Sequence, residues 1–549
     1  MAGTYSSSDV PKTPDARKAR KETGPATQAS FATDEFAMND DFFLQQELGY
    51  KPQMKREFSL FQLIGSAFTV TNSWLGIAAG FTTGISSAGP ASITYGLILM
   101  FILNIFVAIS LSELISAMPT SGGQYYWAMK LAPKKMARVG AYMTGVCNLF
   151  AAYCITASSS IAVSIFIFGC IKLAVPEFVM SEWRIYLGAV VMNLLAAIVN
   201  LWEKAITKSV FIGLWVSLLA CIGLTFAIPL EAHAHTNAKF IFATLENNSG
   251  WSSNGMAFIV GLINANWCFG VLDSAAHLAE ETPNPERNVP KAILFTVVIG
   301  FVTTFPLACG ILYSMTEYDR VLATPTGVPL LELLNVAFQS KTRAIIAVSF
   351  ITLPYFFSLF PQHAYQSRMA WAFARDNGMP FSHLWSQVNA KTNVPLNAHI
   401  LSVSIVIVVA LLYIASTTAF NSLITGVIVF PYLTYIIPVA SSIWRGKNQP
   451  KGPFDLGLIG VISKIITLVF CTFTIIMYSF PFVMPVTASS KSLSLSCNPP
   501  SLISMVTTDM NYISALYGVA IIYGLLDWFL RARFQFRHKS PSGNSERED

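Results

Sequence analysis

Thr71-Asn72-Ser73-Trp74-Leu75-Gly76 and Asn264-Ala265-Asn266-Trp267-Cys268-Phe269-Gly270 interrupt two otherwise apolar runs of this chain. Each stretch sets an Asn, a Trp and a Gly in the middle of a segment long enough to cross a bilayer, and the two lie five spans apart. In a single membrane helix such small residues commonly serve close packing. Two interruptions in corresponding positions point further. Transporters built as two five-helix repeats of inverted topology unwind their first and sixth helices near the midplane, exposing backbone groups and half-helix dipoles to substrate and ions.

The surrounding composition is that of a membrane protein. Charged residues make up 12% of the 549 residues, against roughly 25% in a typical soluble domain. They are also unevenly placed, and residues 59–531 hold only 40 of them. A spanning helix needs about 20 mostly apolar residues. Twelve runs qualify, at about 59–84, 91–117, 138–171, 184–202, 207–229, 253–279, 290–315, 343–372, 396–415, 419–444, 456–480 and 511–531. The even number puts both termini on one side. The expected organisation is a disordered N-terminal tail over 1–58, a twelve-helix domain over 59–531 and a polar tail over 532–549. The first 57 residues contain no apolar run, so no signal peptide is expected.

Orientation follows from the short loops, because Lys and Arg are retained on the cytoplasmic side. The loops on the N-terminal side hold 14 bases and those on the other side seven. Both tails are therefore expected in the cytoplasm, at the plasma membrane. The net charge of +6 is spread over these loops, so no nucleic-acid partner is expected. Asn247-Asn248-Ser249 is a glycosylation sequon in a predicted outer loop. Seven of the eight cysteines fall inside apolar runs. That argues against a disulfide framework and leaves a Cys170–Cys497 pair open.

No phosphate-loop motif, zinc helix, or nucleophile with base at one depth is present, so neither an enzyme nor a cofactor or metal site is expected. Energy for transport must then come from a gradient. The expected substrate contacts cluster at the breaks: Asn72, Ser73, Trp74, Gly76, Asn264, Asn266, Trp267, Phe269 and Gly270, with Tyr153 at mid-depth in the third span. Trp267 and Trp74 suit a cation through their ring faces. Asp273 follows Trp267 by six residues. A charge near mid-membrane costs about 2.5 to 3.5 kcal/mol on insertion scales, so Asp273 either meets a cation or proton or caps a half-helix. His277 and Glu280 follow on the same helical face, as a proton relay or a gate. Glu113 and Lys464 are read as snorkelling or paired with loop charges, and His363 and Arg368 as loop anchors.

Four stretches carry a resemblance to a known family: Pro119-Thr120-Ser121-Gly122-Gly123, Asp273 to Glu281, Trp371 to Pro380, and Val394-Pro395-Leu396-Asn397-Ala398-His399. Over about residues 58–531 the chain resembles the amino acid-polyamine-organocation superfamily, and within it the fungal amino acid and choline transporter group. Thr71 to Ile77, Gly84 to Pro90 and Leu384 to Asn389 look most like its choline- and ethanolamine-carrying members. The resemblance implies an all-α integral membrane fold with a five-plus-five inverted-repeat core, broken helices 1 and 6 and two extra helices. It also implies proton-coupled uptake of a small amine. The chain departs from that pattern around Trp267 and at Pro354-Tyr355-Phe356-Phe357, which leaves open another amine, a vitamin such as thiamine, or a γ-aminobutyrate-like amino acid. A non-transporting nutrient sensor would need a long ordered extension, which neither tail offers.

Overall fold

The computed structural model describes residues 40–324, 326–415, 417–481 and 513–537. Among them the only regular structure is helical, and eleven helices are long and apolar enough to span a membrane. The first predicted span is the twelfth, because it is split into two pieces that are each too short to count. These are α1 (Leu60–Thr71) and α2 (Ser73–Ala88). A capping box starts α1, with the Gln62 backbone N–H donating to Ser59 Oγ and the Ser59 N–H to Gln62 Oε1. The helix stops at Asn72, whose φ of +38° lies in the left-handed region that Asn tolerates. Gly89 then ends α2 at φ +70°, and Pro90, which needs no N–H partner, opens α3 (Pro90–Ala117).

The following elements are α4 (Gln124–Leu131), α5 (Lys134–Ala174), α6 (Glu182–Val199), α7 (Glu203–Glu231) and α8 (Asn254–Trp267). After α8 the sixth span unwinds over 268–271 and resumes as a 3₁₀ segment, Leu272–Glu281. The hinge is Val271 at φ +57°, a conformation that costs a β-branched residue on the order of 1–3 kcal/mol. Then come α9 (Pro285–Tyr313), α10 (Pro329–Phe338), α11 (Lys341–Arg375), α12 (Leu396–Ala410), α13 (Thr417–Arg445), α14 (Leu458–Met477) and α15 (Ile513–Asp527). The most apolar windows of α5 and α13 are 72% and 78% buried, against 17% for α15. The first two are therefore central and the last is peripheral, its Ile522 and Leu526 facing outward.

The two broken spans lie against each other. Gly76, Gly80 and Gly84 recur every four residues along the face of α2 that meets α8. A Cβ on Gly80 would collide with Asn264 Nδ2, and one on Gly76 would come within 2.9 Å of Cys268 Sγ. This close approach lets Asn264 Nδ2 donate to the Gly76 carbonyl at 3.0 Å.

One expectation is corrected at the N-terminus. Residues 40–46 form a short helix, and Leu44, Leu48, Tyr50, Met54 and Phe58 are buried against the membrane domain. Apolar side chains spaced among charges gave no continuous run to read, yet they cover an apolar floor. Residues 1–39, Cys497 and the C-terminal residues 538–549 lie outside the described residues.

Gly80→Ala is expected to lower stability by about 1–3 kcal/mol through overpacking, read as a lower unfolding temperature of the detergent-solubilised protein. Gly223→Ala is the control, since nothing lies within 4 Å of a Cβ there.

Candidate functional site

A small enclosed cavity lies where the two breaks meet. Its walls are Val70, Thr71 and Asn72 at the end of α1, Leu75 and Gly76 in the first turn of α2, and Trp267 at the end of α8. Ile155 and Ser159 of α5 and Tyr355, Ser358 and Gln362 of α11 close it. At about 10 Å³ it has room for roughly one water molecule. Among the described residues no charged side chain lines it.

Its polar lining is incompletely used. Gln362 Nε2 donates to the Val70 carbonyl at 3.3 Å and to Ser159 Oγ at 3.1 Å. Gln362 Oε1, Thr71 Oγ1, Asn72 Nδ2 and Trp267 Nε1 have no hydrogen-bonding partner among the described residues. Buried polar atoms are rarely left so, and a cluster of them in one cavity marks a place for a polar ligand.

A second cluster lies on the side of the domain that carries residues 40–58. Asp273 is buried and takes hydrogen bonds from Gln124 Nε2 at 2.7 Å and Tyr435 OH at 2.8 Å, with His277 Nε2 at 3.3 Å. Gln124 is oriented by Asn148, whose Nδ2 donates to its Oε1. Further along, Glu280 is held by both terminal nitrogens of Arg375 at 2.7 and 2.9 Å and by the Ser121 N–H. Glu281 is held by Arg368 Nε and Nη2 at 2.8 and 3.1 Å. Arg375 also stacks on Tyr50, its guanidinium 3.8 Å from the ring centre. Tyr50 OH donates to Asp376 at 2.6 Å. Just past the end of α11, Asp376 has its carboxyl pushed up to about 6 by burial, against the opposing pull of Arg375 and the hydroxyls of Tyr50 and Tyr125. The segment 40–58 is thus fastened to this ion-pair network, and Arg56 Nη1 adds a bond to the Thr282 carbonyl at 2.8 Å.

A family model described as amino acid permease matches residues 58–507. The chain belongs to the amino acid permease family. It is 39% identical over 496 residues to a choline transporter of Saccharomyces cerevisiae, covering 90% of this chain and 85% of that one. It is 32% identical to a swainsonine transporter of Arthroderma benhamiae, over 89% of this chain and 93% of the relative. An amino-acid permease of Arabidopsis thaliana is 29% identical over 85% of this chain and 93% of its own length.

Within this permease the residues read from sequence divide. Asn72, Gly76 and Trp267 line the cavity. Trp74 does not: its Nε1 donates to Ser217 Oγ of α7 at 2.9 Å, and Ser217 donates on to Asn72 Oδ1. Ser73 and Phe269 pack against Gly300 of α9, and Gly270 against Val427. Asn264 clamps the two broken spans. Asn266 accepts from Tyr432 OH at 2.7 Å and donates to Tyr478 OH at 3.3 Å, bracing α13 and the end of α14. Tyr153 is buried in α5 outside the cavity lining. Asp273 and His277 touch, but the expected single stripe ends there, because Glu280 turns to Arg375 and Ser121 instead. The 3₁₀ winding of this segment does not keep the α-helical spacing on which the stripe was read.

Two ionisable pairs are corrected. Glu113 and Lys464 bind each other at 2.8 Å, both buried, rather than snorkelling. Arg368 is fully buried with Glu281 rather than anchoring a loop, and His363 packs edge-on against His399 at 5.7 Å. The sequon residue Asn247 is half-buried, its Nδ2 donating to the Trp251 carbonyl. Ser159 and Ser358 were missed, and the run Ser158-Ser159-Ser160 in an apolar span was the available signal.

Removing one member of the Arg368–Glu281 pair leaves a buried charge. Arg368→Leu is expected to destabilise by about 3–5 kcal/mol, and adding Glu281→Leu to recover most of that, both read by thermal unfolding in detergent.

Proposed function

We propose that this permease carries a small organic cation, choline-like in chemistry, driven by a proton gradient. In this reading it sits in the plasma membrane with both termini in the cytoplasm. The observation that carries the substrate class is the cavity at the breaks. Both α1 and α8 end at it, at Thr71 and Trp267. Helix C-termini present the negative end of the backbone dipole, equivalent to roughly half an elementary charge each. The rings of Trp267 and Tyr355 add cation-π attraction of about 0.5–2 kcal/mol each. Gln362 Oε1 and Thr71 Oγ1 are free to accept from a hydroxyl.

The likeness to a yeast choline transporter supports the same reading, and the basic loops on the side of both tails support the orientation. An amino acid would bring a carboxylate, and among the described residues no Arg or Lys lines the cavity to meet it. It would depend on the N-terminus of α2 alone. At its present volume the cavity must open for any amine of this size, and Asn72 and Val271 are the backbone positions where the half-helices can pivot.

The test is uptake of labelled choline by a yeast lacking its own choline uptake and expressing this chain, with a panel of amines as competitors. Choline is expected to enter and to be displaced by quaternary amines better than by γ-aminobutyrate. Trp267→Ala should raise the KM for choline by about tenfold, the loss of one strong cation-π contact. Entry of another amine with no entry of choline would reassign the substrate.

A further inference from the structure

We propose that Asp273 and His277 hold one proton between them and that this pair, not Glu280, is where the carrier binds its coupling proton. The proposal rests on the proton-driven reading above. It follows from hydrogen-bond accounting around one imidazole. His277 Nδ1 lies 2.8 Å from the Ser121 carbonyl oxygen. A carbonyl can only accept, so Nδ1 carries a hydrogen. In a neutral ring Nε2 is then a bare lone pair, and it faces Asp273 Oδ2 at 3.3 Å. A lone pair and a carboxylate oxygen repel at that distance. The contact is favourable only with one further proton, carried by Nε2 or by the carboxyl.

The surroundings hold that proton without replacing it. The Asp273 carboxyl already accepts from Gln124 and Tyr435, and His277 is fully buried. From α11, Tyr365 packs beside the imidazole at 5.2 Å, and Arg368 and Arg375 are engaged by Glu281 and Glu280. From α13 comes Tyr435. The acid of α3, Glu113, is engaged by Lys464. The first turns of α9 bring Glu286, Arg287 and Lys291, and α1 brings no titratable side chain. Glu280 is a poor proton carrier by contrast, because two guanidinium nitrogens and a backbone N–H all require its charged form.

Proton loss has a mechanical result. The pair ties the 3₁₀ segment of span six to Ser121 and Gln124, and Gly123, at φ +51°, leaves the imidazole its space. With the proton gone, Nε2 and Oδ2 repel and that tie loosens. The same span carries Trp267 at the cavity, on the other side of the Val271 hinge. One proton enters the pair and one leaves it per cycle.

The full chain, reconstituted in vesicles with the membrane potential clamped at zero, tests this with labelled choline. A single coupled proton allows about tenfold accumulation per unit of pH gradient. His277→Gln is expected to lose that accumulation while choline counterflow persists. Accumulation by His277→Gln equal to the wild type would overturn the assignment. Infrared difference spectra of the wild type against pH read the pair without any transport. A carboxyl band and an imidazole band that change over one shared pH range, both absent in Asp273→Asn, support it. Independent titration of the two bands rejects it, even where a variant fails to fold. Absence of choline counterflow in the wild type would instead refute the substrate reading, with the infrared result still deciding the proton pair.

Discussion

The carboxamide of Asn264 reaching the carbonyl of Gly76 holds together a fold that hydrocarbon otherwise forbids. A membrane interior offers no water to a free backbone group, so an unwound stretch survives only where protein encloses it. This chain unwinds at Asn72 and at 268–271, and sets the two openings against each other. Glycines at 76, 80 and 84 let α2 and α8 approach closely enough for the bond. The approach in turn places the last residues of α1 beside Trp267. The cavity, its dipole character and its two hinges all depend on that registry.

A different constraint closes the side that carries residues 40–58. Four acids and two arginines meet there, and burying charges is tolerable only when each is matched. Arg368 takes Glu281 and Arg375 takes Glu280, both in paired geometry. Asp376 Oδ2 accepts from two phenols, and Asp273 accepts from Gln124 and Tyr435. The sequence stretches 119–123, 273–281 and 371–380 are far apart in the chain and meet in this one network. Residues 48–58 complete it, with Tyr50 under Arg375 and the Phe58 N–H donating to the Glu281 carbonyl at 3.1 Å. A loosened contact in this network therefore bears at once on span six and on the segment that covers it.

Much of this was legible beforehand. Apolar run length identifies spans because length against bilayer thickness is a one-dimensional property, and the broken pair stood out as polar residues in apolar context. Trp267 could be assigned to the cavity on that basis. Trp74 carried the same signal and faces α7, because a break says that a residue is at the right depth and not which way it points. Glu113 and Lys464 could not be paired from sequence, since they sit on helices brought together only by packing. The segment 40–58 has the charge of a disordered tail, and its five apolar anchors acquire meaning only against the surface they cover.

The sequence by itself determined what is local and additive: a membrane chain of twelve spans, two of them interrupted at one depth, and membership of a recognisable permease group. The tertiary structure alone decided which interrupted residues face the cavity, that Gln362 and Ser159 join them, and that Asp273 meets His277. The physical reason is rotational. Position along a helix is written in the sequence, while the azimuth of each side chain and the identity of its neighbour are set by how the helices pack.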